Sequence, residues 1–438
     1  MTGALPAAWA SDRLKDVAGI NLVSLPASTD PAYEFDYLEI SNVDYYGVVD
    51  PKSIGRLRFE DAPSRARRRI IAGSSVVSSV RPNLQAAAFF PEAAPDLVCS
   101  TGFNVVQPKP SKLLSKFGYY HLISENTRQA LEAAATGVGY PAVGDKEFNS
   151  IAVPLPPLPE QNRIIAFLDA SCPAIDATVS AKRRQLSTLE HFRRAVIQRV
   201  VTRGISDGVA LQTTGSSWMA QIPHGWSLVS LKRISEIQGG LTLGKEYVGT
   251  LVERPFLRVG NVQDGYLDLS DVSVIELPAS VAAGVELRPD DVLMTEGGDL
   301  DKLGRGHLWK GEIPGCLHQN HIFAVRCLRH KLVPRFLAYV TAAQYGRDYF
   351  EATGKRTTNL ACTNATKVGE FPIPLPPIRE QELICAYLEE KTAAMDDIVA
   401  MIKAQIETLT AYRKSLIHEC VTGQRRVADE DVRRATQG

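Results

Sequence analysis

The sequence predicts an α+β protein of mixed α/β modules in which one unit occurs twice, each unit being a module followed by a long helix. Three observations carry this prediction: a gap-free internal repeat, heptads of apolar residues in each copy, and short β-rich runs elsewhere. The resulting boundaries place modules at 1–153 and 205–373, and a proline-rich connector with its helix at 154–204 and 374–425. The C-terminal tail, 426–438, is expected to be disordered.

The repeat is clearest at an offset of 220 residues. Pro-Leu-Pro-Pro-Leu-Pro-Glu-Gln at 154–161 aligns with Pro-Leu-Pro-Pro-Ile-Arg-Glu-Gln at 374–381, and the match continues without a gap to Val201-Thr202 and Val421-Thr422. Weaker echoes lie upstream, where Trp9 matches Trp226 and 37–43 matches 256–262. An internal repeat of this length predicts a duplicated architecture.

The two Pro-Leu-Pro-Pro segments cannot be helix or central strand, because proline fixes φ and lacks a backbone donor. They are therefore expected to be stiff, extended connectors. The Glu-Gln pairs that follow, 160–161 and 380–381, fall in the first helical turn, where an acidic residue suits the helix dipole.

Heptads follow each connector, with eight of ten seam positions apolar in each helix. A helix of about 40 residues is about 60 Å long, more than a small module can cover, so each seam is expected to pair with the other helix rather than only with its own module. Arg193 and Arg413 interrupt both seams at the same place, and Pro173 predicts a kink or a restart. The predicted pairing residues are Leu168, Ile175, Val179, Leu186, Leu189, Val196, Leu388, Met395, Val399, Ile402, Ile406, Leu409 and Leu416.

The modules lack long heptads and contain short β-rich runs separated by Gly, Pro, Asn and Asp. Helices are expected at Tyr119 to Ala135 and at Pro334 to Phe350. The predicted strands cover 37–43, 75–80, 98–106, 256–262, 291–294 and 321–327.

Composition limits the function classes. The 49 basic and 49 acidic residues cancel, which argues against a simple electrostatic DNA binder, although 154–204 carries 8 basic against 4 acidic residues. The seven cysteines are scattered and form no CxxC pair, which favours reduced thiols. No leader peptide and no run of about 20 apolar residues are evident. The expected location is cytoplasmic, without a membrane partner.

Two motifs resemble catalytic or metal sites, but their residues do not favour either interpretation. Gly239 to Glu246 nearly spells a phosphate loop, but Glu246 stands where a Ser or Thr hydroxyl should bind magnesium. Cys316, His318, His321 and Cys327 match no usual zinc spacing, and their segment alternates like a strand. We find no catalytic constellation, and expect neither a catalytic residue nor a bound metal.

Basic and amide residues on turn-like segments are the candidates for DNA contact, because Arg and Lys bind phosphates or guanine and Asn suits adenine. An ordinary solvated surface is the alternative for each of them. The candidates are Arg65, Arg67, Arg68, Arg69, Arg81 and Asn83 in the first module, and Lys302, Arg305, His307, Lys355, Arg356 and Asn359 in the second.

The layout resembles the specificity subunits of type I restriction–modification systems. The twin Pro-Leu-Pro-Pro-[Leu/Ile]-x-Glu-Gln segments, the helices after them and the Val-Thr pairs carry the resemblance, together with Thr-Glu-Gly-Gly at 295–298 and Cys-Leu-His-Gln-Asn-His-Ile at 316–322. It covers about residues 5–425. The first module departs from it, because Val-Ser-Ser-Val-Arg at 77–81 lacks the Gly pair.

The resemblance implies that each module is a target-recognition domain for one half of a bipartite site in double-stranded DNA. The two helices would pair as an antiparallel coiled coil, set the gap between half-sites and dock two methyltransferase subunits, which restriction subunits would join. S-adenosylmethionine, ATP and magnesium would belong to those partners, and this chain would bind no cofactor. The competing hypotheses are a coiled-coil scaffold that does not bind DNA and a nucleotide-dependent enzyme using the Gly239 loop.

Overall fold

The computed structural model describes residues 5–44, 47–82, 86–137, 139, 141–263, 265–298, 303–356 and 361–437. The chain divides into two compact units, residues 1–183 with 403–438 and residues 184–402. The division falls inside both long helices, so each unit contains one module and part of each helix. The predicted duplicated α+β fold is confirmed.

In the first module, the described residues form two four-stranded sheets, ordered β2-β9-β6-β7 and β4-β3-β8-β5, in which only β3 and β8 run parallel. Their apolar faces bury Phe35, Phe103 and Val76. The strands are β1 (Ala10–Arg13), β2 (Ala18–Ile20), β3 (Glu34–Leu38), β4 (Gly55–Arg58), β5 (Ala66–Arg69), β6 (Ser74–Ser78), β7 (Ala87–Phe90), β8 (Leu97–Ser100), β9 (Phe103–Pro108) and β10 (Ala152–Leu155). The helices are α1 (Leu14–Val17), α2 (Ser115–Leu122), α3 (Glu125–Ala134) and α4 (Asp145–Asn149).

The first long helix, α5 (Leu158–Arg203), follows β10, which pairs antiparallel with β1 in an edge ribbon. Pro154 therefore lies in a strand, where the missing donor is tolerated because the strand has a single neighbour. The helix runs through Pro173 without the predicted restart.

The second module repeats this framework. Among its described residues the sheets are ordered β14-β21-β17-β19 and β16-β15-β20, with β15 parallel to β20, and a further small sheet is ordered β18-β23-β22. The strands are β11 (Leu211–Thr213), β12 (Gln221–Pro223), β13 (Ser227–Ser230), β14 (Ser235–Gly239), β15 (Val252–Leu257), β16 (Ser273–Leu277), β17 (Val292–Thr295), β18 (Gly297–Gly298), β19 (Gly306–Leu308), β20 (Leu317–His318), β21 (Ile322–Cys327), β22 (Lys355–Arg356), β23 (Ala361–Cys362) and β24 (Pro372–Leu375). The helices are α6 (Ala279–Val285), α7 (Pro334–Ala342), α8 (Gln344–Thr353) and α9 (Ala365–Glu370), and the long helix α10 (Ile378–Thr422) follows.

Within each unit the two long helices pack antiparallel. In the first unit, Leu168 and Val179 of α5 share a buried cluster with Leu416 of α10. In the second unit, Ile197 of α5 shares one with Leu388 of α10. The predicted seam residues Leu168, Ile175, Val179, Leu388, Met395, Ile402 and Leu416 are buried, and Leu186, Leu189, Val196, Val399, Ile406 and Leu409 are half-buried.

The two arginines that interrupt the seams form equivalent ion pairs. Arg413 Nε lies 2.8 Å from Asp176 Oδ1 in the first unit. In the second unit, Arg193 donates through both terminal nitrogens to Asp396, at 2.6 and 3.1 Å. The 220-residue offset converts one pair into the other, so the duplication extends to the charges inside the seam.

Two expectations about the helices and the tail need correction. Residues 426–438 were expected to be disordered, but α11 (Asp429–Gln437) forms there, and Val427 and Val432 pack against the first unit.

By length and composition alone, α5 is apolar enough to cross a membrane, so the expectation that no stretch approaches the apolar length of a membrane helix was wrong. Its apolar side chains at Ile164 and Leu168 are buried in the first unit.

Candidate nucleic-acid interface

Each long helix is tied to its own module by a tryptophan near the start of that module. The indole Nε1 of Trp9 donates to Glu160 Oε2 at 3.1 Å, and that of Trp226 donates to Glu380 Oε2 at 3.0 Å. Both glutamates lie in the first turn of a long helix. Trp9 and Glu160 are buried, which makes the loss of their hydrogen bond costly.

The glutamine after each glutamate completes this clamp. Gln161 Oε1 accepts from Leu114 N at 2.8 Å, and its Nε2 donates to Lys112 O and Pro156 O, both at 2.9 Å. Gln381 repeats all three bonds at the same distances, with Val333 N, Lys331 O and Pro376 O. Both glutamine side chains are fully buried.

The Glu-Gln pairs therefore join helix, connector and module, a role that sequence reasoning missed when it assigned them only to the helix dipole. The signal was present in the sequence. Trp9 and Trp226 recur with nearly the same offset as the Glu-Gln pairs, but nothing local pairs residues 151 or 154 positions apart.

In both modules, the two parallel strands (β3 and β8, or β15 and β20) end next to the end of a central antiparallel strand (β6 or β17). We call this region the polar edge. Parallel strands place their carboxyl ends at one edge of a sheet. In the first module it comprises residues 39, 65, 79–81 and 101–102, following β3, β6 and β8. Thr101 N donates to Arg65 O and Ser79 N donates to Gly102 O, both at 2.8 Å.

The polar edge of the second module shares one backbone connection with the first, between the residue after the central strand and the residue before the next antiparallel strand, and carries different side chains. It comprises residues 258, 296, 305, 319–321 and 355. Gln319 N donates to Leu257 O and Glu296 N donates to His321 O, both at 2.9 Å. The His321 imidazole lies 2.8 Å from Glu296 Oε2 through Nδ1, and Arg258 reaches Asp271 at 2.7 Å.

The pairing of β5 places the four clustered arginines of the first module in different environments. Arg65 is exposed at the polar edge, and the hydrogen bonds that it donates to Glu39 and then to Tyr37 raise its pKa. Arg67 lies over the Phe59 ring at 4.5 Å, and Arg69 donates to Pro95 O.

Arg68 does not fit a DNA contact. Its guanidinium donates to Phe103 O and, at 3.0 Å, to Asn104 Oδ1, and burial lowers its pKa. We therefore interpret Arg68 as a residue that joins β5 to β9, and we leave it out of the candidate interface.

The remaining candidates lie at or near the polar edges. Arg81 is exposed with a φ of 49°, and its backbone N donates to Pro141 O at 2.8 Å. Arg305 is half-buried and its carbonyl accepts from Thr295 N. His307 is half-buried on β19, where burial lowers its pKa. Lys355 is exposed on β22.

The side chains of four candidate residues lie outside what the structure describes. Asn83, Lys302 and Asn359 lie outside the described residues, and Arg356 is described only as part of β22. The structure thus brings Arg65 and Arg81 to one polar edge, and Arg305 and Lys355 to the other. Sequence reasoning missed Arg258, and it treated His321 only as a zinc alternative and a family mark.

Local structure accounts for the two motifs that resembled a metal site and a nucleotide site. Cys316 and His318 are buried, and His318 Nδ1 lies 3.0 Å from Val285 O. The described residues contain no cluster of three or more His, Cys, Asp or Glu able to hold a metal ion. Gly239 ends β14, and residues 240–251 form no helix to receive a phosphate.

Comparison with known proteins agrees with this geometry. The family described as "Type I restriction modification DNA specificity domain" matches residues 6–188. The putative MjaX specificity subunit of Methanocaldococcus jannaschii is 26% identical over 47% of this chain and 47% of its own length. The StySPI subunit of Salmonella potsdam and the EcoKI subunit of Escherichia coli K12 are each 23% identical over 74% of this chain and 69% of theirs.

Solved structures share the fold. A chain from a study of assembly and conformational transition of the type I R-M system superposes with a TM-score of 0.74 and 23% identity, covering 97% of this chain and 100% of that one. The HsdS subunit of Thermoanaerobacter tengcongensis gives 0.51 and 22%, covering 97% and 99%.

The first module with the start of α5 is thus a type I DNA specificity domain. The remainder of the chain resembles type I specificity subunits in sequence and shares their fold, as the twin proline segments suggested. The chain spans about half the length of the MjaX subunit and about two thirds of the StySPI and EcoKI subunits that it matches.

Proposed function

We propose that this chain selects the DNA sequence for a type I restriction–modification complex, with each module reading one half of a bipartite site. The observation that carries the proposal is the pair of polar edges, which share an equivalent backbone connection, Ser79 N to Gly102 O and Glu296 N to His321 O, and carry different side chains. A shared frame with different contents is what two readers of two unlike half-sites require, because base edges are read by side-chain donors and acceptors.

The partners we propose are double-stranded DNA, two methyltransferase subunits and the restriction subunits. The repeat supports two equal docking sites, because each long helix carries the same clamp at its start and the same ion pair in its seam. We propose that the chain is not itself catalytic, and that S-adenosylmethionine, ATP and magnesium act on the partner subunits. Its proposed location is the cytoplasm, without a membrane partner.

The zero net charge is compatible with this function. Nonspecific affinity for DNA comes from phosphate neutralisation, which needs a local excess of basic residues. Partner subunits that enclose the DNA would supply those contacts, and the polar edges would supply base recognition. Mutating Arg65 should therefore change base preference more than it changes the salt dependence of binding.

A module exchange tests the proposal. Residues 1–153 are replaced by the corresponding module of a relative with a known target, so that the new module supplies its own clamp tryptophan and meets the glutamate and glutamine of α5. The chimera is expressed with the methyltransferase subunit of the same restriction–modification system, and modified bases are mapped across the genome. We expect one half of the methylated motif to change and the other to persist.

Two controls complete the design. The unmodified chain should give a bipartite motif, and a chain that carries only the Arg65→Ala change should keep both half-sites with altered preference in the first. A motif identical before and after the module exchange would refute the assignment of half-sites to modules. A wild-type complex that methylates without any bipartite preference would refute the function itself.

A further inference from the structure

We infer that His321, held by Glu296, reads a base edge in the half-site of the second module. The inference rests on the proposed function, because it names a specificity-determining side chain within that recognition surface. Its starting point is a difference between two equivalent positions, one in each module.

The pair is fixed by the backbone on both sides. Glu296 follows the central strand β17, and its N–H donates to His321 O at 2.9 Å, while its carbonyl accepts from Thr363 N at 2.7 Å. His321 lies in the turn between β20 and β21, which is tied to β15 through Gln319 N and Leu257 O. The two side chains therefore start from positions that the sheet determines.

The side-chain contact then orients the imidazole. His321 Nδ1 lies 2.8 Å from Glu296 Oε2, and the side chains are 51% and 25% exposed respectively. A carboxylate accepts hydrogen bonds, so Nδ1 carries a proton in this contact. Nε2 is the remaining polar atom of an exposed ring. It accepts from a base amino group when the ring is neutral, or donates to guanine N7 or O6 when the ring is charged.

The first module serves as an internal comparison. The same backbone bond joins Ser79 N to Gly102 O at 2.8 Å, but Ser79 Oγ turns back to donate to that same carbonyl at 3.0 Å, and Gly102 has no side chain. The backbone frame is therefore complete without a Glu-His pair. Because the frame does not need the pair, and the pair is exposed at the polar edge, we assign it to ligand recognition rather than to stability.

Glu296 is a positioning residue in this scheme, since it acts through His321. Replacing it with Gln keeps a side-chain oxygen that accepts from Nδ1, whereas replacing it with Ala removes the acceptor. A role in orientation predicts that Glu296→Ala relaxes the same base position as His321→Ala. It also predicts that the double variant resembles either single variant, and that Glu296→Gln stays near the wild type.

The experiment maps methylated sites in cells that express the full chain with its methyltransferase. For His321→Ala we expect discrimination to fall by about 5- to 150-fold at one base pair of the second half-site, the range for one lost base contact. The first half-site should be unchanged and acts as the internal control for folding and assembly. Lys310→Ala, exposed beyond β19 at the opposite end of β17, should leave both half-sites unchanged.

The outcomes separate cleanly. A motif unchanged in His321→Ala would overturn the inference while leaving the proposed function standing. So would an equal loss of modification at all sites, because a merely structural pair affects every sequence alike. A wild-type complex without a bipartite motif would instead overturn the proposed function. Relaxation at one position of the second half-site, shared by Glu296→Ala and rescued by Glu296→Gln, supports the inference.

Discussion

Replacing Gln161 with alanine should destabilise the first unit more than any single exposed substitution on the same helix. The side chain is fully buried and makes three hydrogen bonds, accepting from Leu114 N and donating to Lys112 O and Pro156 O. Leu114 is the N-cap residue of α2, and no side-chain hydrogen bond caps that helix in its place. The change therefore leaves one donor and two acceptors without partners.

The magnitude follows from the bond count. A typical intramolecular hydrogen bond contributes about 1 kcal/mol net, and an unsatisfied buried group costs about 1 to 3 kcal/mol. Three bonds lost together give about 3 kcal/mol in the free energy of unfolding. A single domain has about 5 to 15 kcal/mol in all. Gln185, exposed on the same helix, supplies the matched control, with an expected change within about 0.5 kcal/mol for Gln185→Ala.

Two measurements check this prediction. Urea unfolding gives the difference in free energy between each variant and the wild type. Hydrogen exchange at the Leu114 amide reports directly on the lost acceptor, and it should accelerate in Gln161→Ala but not in Gln185→Ala. Equal unfolding midpoints for the two variants would show that the glutamine clamp does not hold the module to its helix.

Three further predictions concern charges and thiols. The Arg413–Asp176 pair is less exposed than its counterpart in the second unit, so a double-mutant cycle should give it the larger coupling energy; equal values would contradict this. Hydrogen bonding from Arg128 lowers the pKa of Glu125 from 4.5 to about 2. Its stabilisation is therefore present above pH 4.5 and lost as the pH falls to about 2, where wild type and Glu125→Gln should converge in urea unfolding; a constant difference would argue otherwise. Burial raises the pKa of six cysteine thiols to about 11 or 12, so iodoacetamide should modify them far more slowly in the native protein than in urea, and mass spectrometry showing equal rates would refute this; the six are Cys99, Cys172, Cys316, Cys327, Cys385 and Cys420.

The long helices could be predicted from the sequence because their pattern is local. Heptads and proline connectors placed them within 154–204 and 374–425, and the helices occupy Leu158–Arg203 and Ile378–Thr422. The helical tail could not be predicted in this way. Its polar composition suggested disorder, and only packing of Val427 and Val432 on the first unit gives it a folded surface.

The candidate site was harder to predict because its residues meet through sheet pairing. Arg67 and Arg68 are neighbours of one type, yet one covers Phe59 and the other is bonded inside the module. Strand alternation separates them, and the sequence does not state which face of β5 meets β9. Glu296 and His321 are 25 residues apart and become partners only once β17 and β21 pair.

The backbone bonds at the two polar edges also bear on how such a protein changes over generations. Main-chain N–H and C=O groups are common to nearly all residue types, so exchanging the residues there preserves the hydrogen bonds that shape the turn. A Glu-His pair and a Ser-Gly pair already occupy the same scaffold within one chain. Under the proposed function, a new target preference would therefore need a point substitution at a polar edge and no compensating mutation in the sheet.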